Sequence, residues 1–162
     1  MNLALLVVDM QKAYLEKVDP VMVRRTVEHI NYAAEIMRSA GCPIIHIQDI
    51  EEAPTLGMDE LAIIDDIAVD ERDLHVTKIY SNAFWETDLK SILTARQVDF
   101  VVVAGYAAEY CVLFTYNGAY ERGFKAAMLQ GGIVSSKNDV ITAAYRDRHL
   151  ISYPVIEAMI SG

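Results

Sequence analysis

The chain has 162 residues, 53% hydrophobic and 23% charged, the balance of an ordinary folded domain rather than of a disordered segment. Its 14 basic and 23 acidic residues leave a net charge of −9, which argues against a phosphate-backbone binder and so against nucleic acid as a partner. Two cysteines are too few for a disulfide framework or a Cys-rich metal centre, and no apolar run approaches the ~18–20 residues of a bilayer span. With no basic leader ahead of Leu3, the expectation is a single cytoplasmic domain over 1–162 with no membrane partner.

Asn2 to Val8 is a continuous apolar run ending at Asp9, the pattern of a strand buried on both faces of a parallel sheet. Asp19-Pro20 then opens a helix that Gly41 closes, with Val23, Val27, Ile30, Ala34 and Met37 at helical spacing. Pro43–Ile47 reads as a second strand and His75–Ile79 as a third, less hydrophobic and so nearer an edge. Between them lies an acidic stretch, Asp49 to Asp73, expected to be a long loop with one short helix lying over the sheet edge. Thr87 caps a helix through Leu89, Ile92 and Leu93. Phe100–Ala104 is a fourth strand, followed by a helix from about Glu109 to Gly123. A fifth strand over Phe124–Leu129, a helix over Asn138–His149 and a sixth strand over Ile151–Val155 complete the chain. Strands alternating with helices at this spacing predict an α/β fold, a three-layer doubly wound parallel sheet of Rossmann-like type.

In such sheets ligands bind beyond the carboxyl ends of the strands. There the sequence places Asp9, Lys78 and, in the first turn after the fourth strand, Cys111. A thiol needs a base to take its proton and a cation or helix N-terminus to favour the thiolate, and an acid, an ammonium and a thiol supply that set. Backbone N–H groups in the turn can hold an oxyanion, so the implied reaction is acyl transfer through a thioester followed by hydrolysis. Taken singly, each residue has a plainer reading: Asp9 as a turn cap, Lys78 as a surface lysine, Cys111 as a small core residue. No Gly-x-Gly-x-x-Gly or P-loop follows the first strand, which sets aside a nucleotide-binding domain.

Four ordered motifs carry a resemblance: Leu6-Val7-Val8-Asp9-Met10-Gln11 with Tyr14; Ile45-His46-Ile47-Gln48-Asp49; Lys78 with Ser81, Ala83-Phe84, Thr87 and Leu89; and Gly105-Tyr106-Ala107-Ala108-Glu109-Tyr110-Cys111-Val112. Together they resemble the isochorismatase-like family of cysteine hydrolases, which includes nicotinamidases and N-carbamoylsarcosine amidohydrolase. The resemblance implies six parallel strands in the order 3-2-1-4-5-6. It also implies a triad with Cys111 as nucleophile, Asp9 as general acid/base and Lys78 lowering the thiol pKa. It further implies a cis peptide between Tyr106 and Ala107, with the amides of Ala107 and Cys111 as oxyanion hole, and a homodimer or homotetramer.

Departures from the family pattern narrow the reaction. Nicotinamidases carry a metal-binding Asp-x-His pair after the second strand; here Asp49-Ile50-Glu51 has no histidine, so no metal and no other cofactor is expected. Ala108 and Gly131 stand where many relatives have threonine and aspartate, and the acidic loop is short. Members that cleave a vinyl ether tend to lack the cysteine, so Cys111 points to hydrolysis of a C–N bond in a small amide, ureido or carbamoyl compound. Gln11, Tyr14, Phe84 and Tyr106 are expected to line the substrate pocket, and Phe114, Tyr116 and Tyr120 to pack between subunits. The alternative is a catalytically silent scaffold of this family with a binding or regulatory role.

Overall fold

The computed structural model describes residues 1–161. Its elements run β1 (Leu3–Val8), α1 (Lys12–Leu15), α2 (Pro20–Ser39), β2 (Ile44–Asp49), β3 (Leu74–Lys78), α3 (Leu89–Ala95), β4 (Phe100–Tyr106), α4 (Cys111–Glu121), β5 (Lys125–Val134), α5 (Asn138–Asp147), β6 (Leu150–Ile151) and α6 (Tyr153–Ser161). All six strands are parallel, in the order β3-β2-β1-β4-β5-β6.

Every residue of β1 is buried, and the two-residue period of a strand divides them between two cores. Leu3, Leu5 and Val7 join Val27, Ile30 and Met37 of α2 and Ile156 of α6 on one face. Ala4, Leu6 and Val8 face Leu89 and Leu93 of α3 and Val112 and Ala119 of α4 on the other. Asp19 caps α2 by accepting from the Val21 N–H at 2.8 Å, and Pro20 follows at the first helical position, where a missing N–H costs nothing.

Three segments differ from expectation. The sixth strand stops at Ile151, and Val155 lies in α6: Pro154 suits a first helical turn, and the Ser152 carbonyl accepts from the Val155 and Ile156 amides. The fifth strand runs on to Val134 because a bulge at Leu129–Gly132 lets it rejoin β4; Val103 faces Met128 but Gly105 faces Ile133. The 50–73 crossover forms turns and no helix. Its middle is laced to the start of the chain instead: Lys12 and Ala13 amides donate to Ala62 and Glu60, and Ile64 donates to Met10. Among the described residues, no helix is long and apolar enough to cross a membrane.

Candidate active site

The strand order reverses between β1 and β4, and such a switch point opens a crevice at the carboxyl ends of the strands. β1 ends in Asp9, whose backbone takes φ +50°, a left-handed conformation that Asp tolerates better than most residues. Its N–H donates to the Ile47 carbonyl at 2.9 Å, so the chain turns at once over the sheet rim. Beside it, Gly105 sits at φ +113°, and a Cβ there would overlap the Val8 carbonyl oxygen. Glycine thus lets the ends of β1 and β4 close up at the rim. The peptide that follows, Tyr106–Ala107, is cis, and Cys111 opens α4.

On the other side of β1, parallel register pairs Asp49, the last residue of β2, with Lys78, the last of β3. The Lys78 side chain is fully buried and its ammonium reaches three groups. Nζ lies 3.0 Å from Asp9 Oδ2, 2.8 Å from Asp49 Oδ2 and 3.4 Å from Cys111 Sγ. A carboxylate and an ammonium from two strand ends and a thiol from the start of α4 thereby meet at one point, with a second carboxylate behind the ammonium.

Burial pushes the Asp9 carboxyl up to about 6, against the pull of Lys78. Burial, and next the Asp9 charge, push the Cys111 thiol up to about 12, with Lys78 opposing. Burial alone would lower Lys78, but Asp9, Cys111 and Asp49 outweigh it and hold the ammonium above its ordinary value. Lys78 does act to lower the thiol, but burial and the Asp9 charge outweigh it, so the balance favours the protonated form.

Tyr14 and Tyr106 are half-buried beside this cluster. Burial and then Asp49 and Asp9 raise Tyr14, and burial, Glu109 and Cys111 raise Tyr106. The amides of Ala107 and Cys111 donate to no acceptor among the described residues, whereas the neighbouring Ala108 and Val112 amides are bonded to Val134 and Ala107 carbonyls.

Two expected pocket residues are placed otherwise. Phe84 is 4% exposed and belongs to the core, its ring 5.9 Å from that of Phe124 with Arg122 over it, at the end of the sheet away from the rim. Phe84, the residue after Ala83, faces inward because this segment packs on α4, where Ala83 N–H donates to the Thr115 hydroxyl. Gln11 is wholly buried and its amide is already engaged: Nε2 donates to the Asp49 and Leu61 carbonyls, and Oε1 accepts from the Asp49 N–H. It clamps the end of β2 rather than facing a ligand. Tyr116, expected between subunits, is likewise 5% exposed and part of the core.

Asp49 is the residue that sequence reasoning passed over. The signal was available, since it ends a strand as Lys78 does, with Asp9 just past β1. Asp9, Asp49 and Cys111 bring ligand atoms within 4.8 Å of one another, a grouping that suits a cation, and the Lys78 ammonium already sits against all three. His46 and His75 stack on each other in mid-sheet, and His46 pairs with Asp73, away from the rim.

The profile of the Isochorismatase domain matches residues 3–157. The isochorismatase family protein YaaI of Bacillus subtilis is 31% identical over 149 residues, which cover 84% of this chain and 82% of that protein. Maleamate amidohydrolase of Pseudomonas putida is 24% identical over 148 residues, 78% of this chain and 70% of the relative. The crystal structure of N-carbamoylsarcosine amidase from Thermoplasma acidophilum superposes with a TM-score of 0.80 at 24% identity, covering 94% of this chain and 95% of that one, a likeness of fold. A profile match across nearly the whole chain, with a relative above 30% identity, settles the membership: this is an isochorismatase-like hydrolase.

Proposed function

We propose that the protein is a metal-independent cysteine hydrolase that cleaves a C–N bond in a small amide, ureido or carbamoyl compound, using Asp9, Lys78 and Cys111. The observation that carries the reading is the Lys78 ammonium within 3.4 Å of the Cys111 sulfur and 3.0 Å of the Asp9 carboxylate, at the switch point of the sheet. The amidohydrolase and amidase activities named for two of the relatives support it.

The steps follow from the groups present. As the sulfur attacks the carbonyl carbon, the thiol proton passes to Asp9, and the carbonyl oxygen becomes an oxyanion facing the free amides of Ala107 and Cys111. Collapse breaks the C–N bond, and Asp9 returns the proton to the leaving nitrogen. Water then attacks the thioester, giving its proton to Asp9. The second tetrahedral intermediate expels the sulfur, which recovers the proton, and the acid product departs. Lys78 stays charged throughout and holds Asp9 toward the thiol. Tyr14 and Tyr106, half-buried beside the cluster, are the side chains that would contact a small substrate.

The test is ammonia release from a panel of small amides, ureides and carbamoyl compounds, with the melting curve of each variant as a folding control. Cys111→Ala, Asp9→Asn and Lys78→Ala are each expected to lower turnover by about 10²–10⁴-fold or more. Dialysis against a chelator should leave the wild type unchanged. Undiminished turnover in Cys111→Ala would overturn the reading. No turnover across the panel by a well-folded wild type would favour the silent scaffold.

A further inference from the structure

We propose that Asp49 is a positioning residue of the catalytic cluster, fixing the Lys78 ammonium from the β2 side and drawing part of its charge away from Cys111. The inference rests on Cys111 as the nucleophile and adds a residue to the Asp-Lys-Cys set. Three observations carry it. Asp49 Oδ2 is the nearest of the groups around Lys78 Nζ, at 2.8 Å against 3.0 Å for Asp9 and 3.4 Å for the sulfur. The Asp49 carboxylate is itself fixed, since Oδ1 accepts from the Glu51 N–H at 2.9 Å. Its backbone is gripped on both sides by the Gln11 amide, at 2.8 and 2.9 Å, and the Tyr14 hydroxyl lies 3.5 Å from its carbonyl oxygen. The residues that follow Asp9 in sequence, Gln11 and Tyr14, thus secure the second carboxylate.

The electrostatic consequence is direct. Asp9 and Asp49 contribute two negative charges and Lys78 one positive, so the group carries −1 before the thiol ionises and −2 after. Doubling a buried negative charge is costly, and the proton stays on sulfur until a carbonyl is in place to receive the electron pair. The other ionisable groups facing the sulfur give no relief. Tyr106 at the end of β4 and Tyr14 on α1 are neutral, and Glu109, bonded to Ser135 beyond β5, is a further acid. A thiol kept protonated in this way resists adventitious alkylation and oxidation, which act on thiolates.

The experiment is the pH dependence of Cys111 alkylation by iodoacetamide, read by intact mass, with Cys42→Ser as background so that a single thiol reports. Without the Asp49 charge, in Asp49→Asn, the curve should move to lower pH by about one unit, raising the rate at pH 7 about tenfold. Over the same change, turnover should fall and its pH profile shift. Asp49→Glu should return the alkylation curve toward the wild type. Superimposable wild-type and Asp49→Asn curves would overturn the proposal. Should Asp49→Asn fail to fold, Asp49→Ser is read in the same background: a curve moved to lower pH supports the proposal, and one superimposable on the wild type overturns it. Alkylation needs no substrate, so an absence of amide cleavage would sink the proposed reaction and leave this result standing. Normal amide cleavage with an unmoved curve would do the opposite.

Discussion

A buried aspartate with its pKa pushed up to about 6 works as a base only above that value. Protonated Asp9 cannot accept the Cys111 proton, so kcat/KM should fall about tenfold per unit below pH 6 and level off above it. The thiol, pushed up to about 12, sets no opposing limb in the accessible range. A single-sided profile is therefore expected. A rate independent of pH down to 5 would remove Asp9 from the role of base. The three residues at this point were legible because rim chemistry is written locally: Asp9 follows an apolar run, Lys78 closes a strand, and Cys111 stands in the first turn after one. Phe84 and Gln11 misled for the opposite reason. Whether a side chain near the motif faces the rim or the core depends on partners far along the chain, Phe124 for one and Asp49 and Leu61 for the other.

Among the elements, the β2–β3 crossover depends most on a single buried link. Arg38 of α2 holds Asp73, just ahead of β3, through Nε at 2.9 Å and Nη2 at 2.7 Å, and His46 of β2 reaches the same carboxylate at 2.9 Å. Burial alone would raise Asp73, but Arg38, the Asp70 N–H and His46 hold it below its ordinary 3.8, so its contribution is present above that pH and lost as pH falls through the lower folded value. Burial lowers His46 below its ordinary 6.5, so the unfolded chain takes up that proton first, and stability begins to fall as pH drops below 6.5. Urea unfolding followed from pH 8 to 3 should show both losses. Asp73→Asn should cost about 3 kcal/mol at pH 7 by stranding Arg38, and should remove the more acidic loss. A cost under about 0.5 kcal/mol would mean the link contributes little. The inner strands could be read as continuous apolar runs and α2 from its helical spacing, because their packing is regular. The crossover could not, since turns held by long-range carbonyl contacts leave no period in the sequence, and its apolar patch at Leu61–Ile64 mimics a short helix.

At the scale of the molecule, α4 leaves an aromatic surface uncovered beside the site. Phe114 on α4 is 50% exposed, and Tyr110, which precedes the helix, is 55% exposed. We propose that this face joins subunits of a homodimer or homotetramer. Light scattering should then give a multiple of the chain mass, reduced by Phe114→Asp; a monomeric wild type would refute it. The strand order was legible in the motifs, but β6 and α6 were not told apart, because Ile151–Val155 is apolar in either conformation and only the turn at Ser152 decides. The stitching of the crossover also bears on how the family can diversify. Carbonyls of residues 60–62 tie to Gln11, Lys12 and Ala13, and the same Gln11 amide holds Asp49. Insertions or deletions between 60 and 64 would therefore be transmitted to the Lys78 ammonium, whereas the turn at 53–55 bonds locally, its Ala53 and Thr55 amides donating to the Ile50 and Glu52 carbonyls. That turn is where descendants of this sequence can change length while the chemistry at the strand ends is inherited intact.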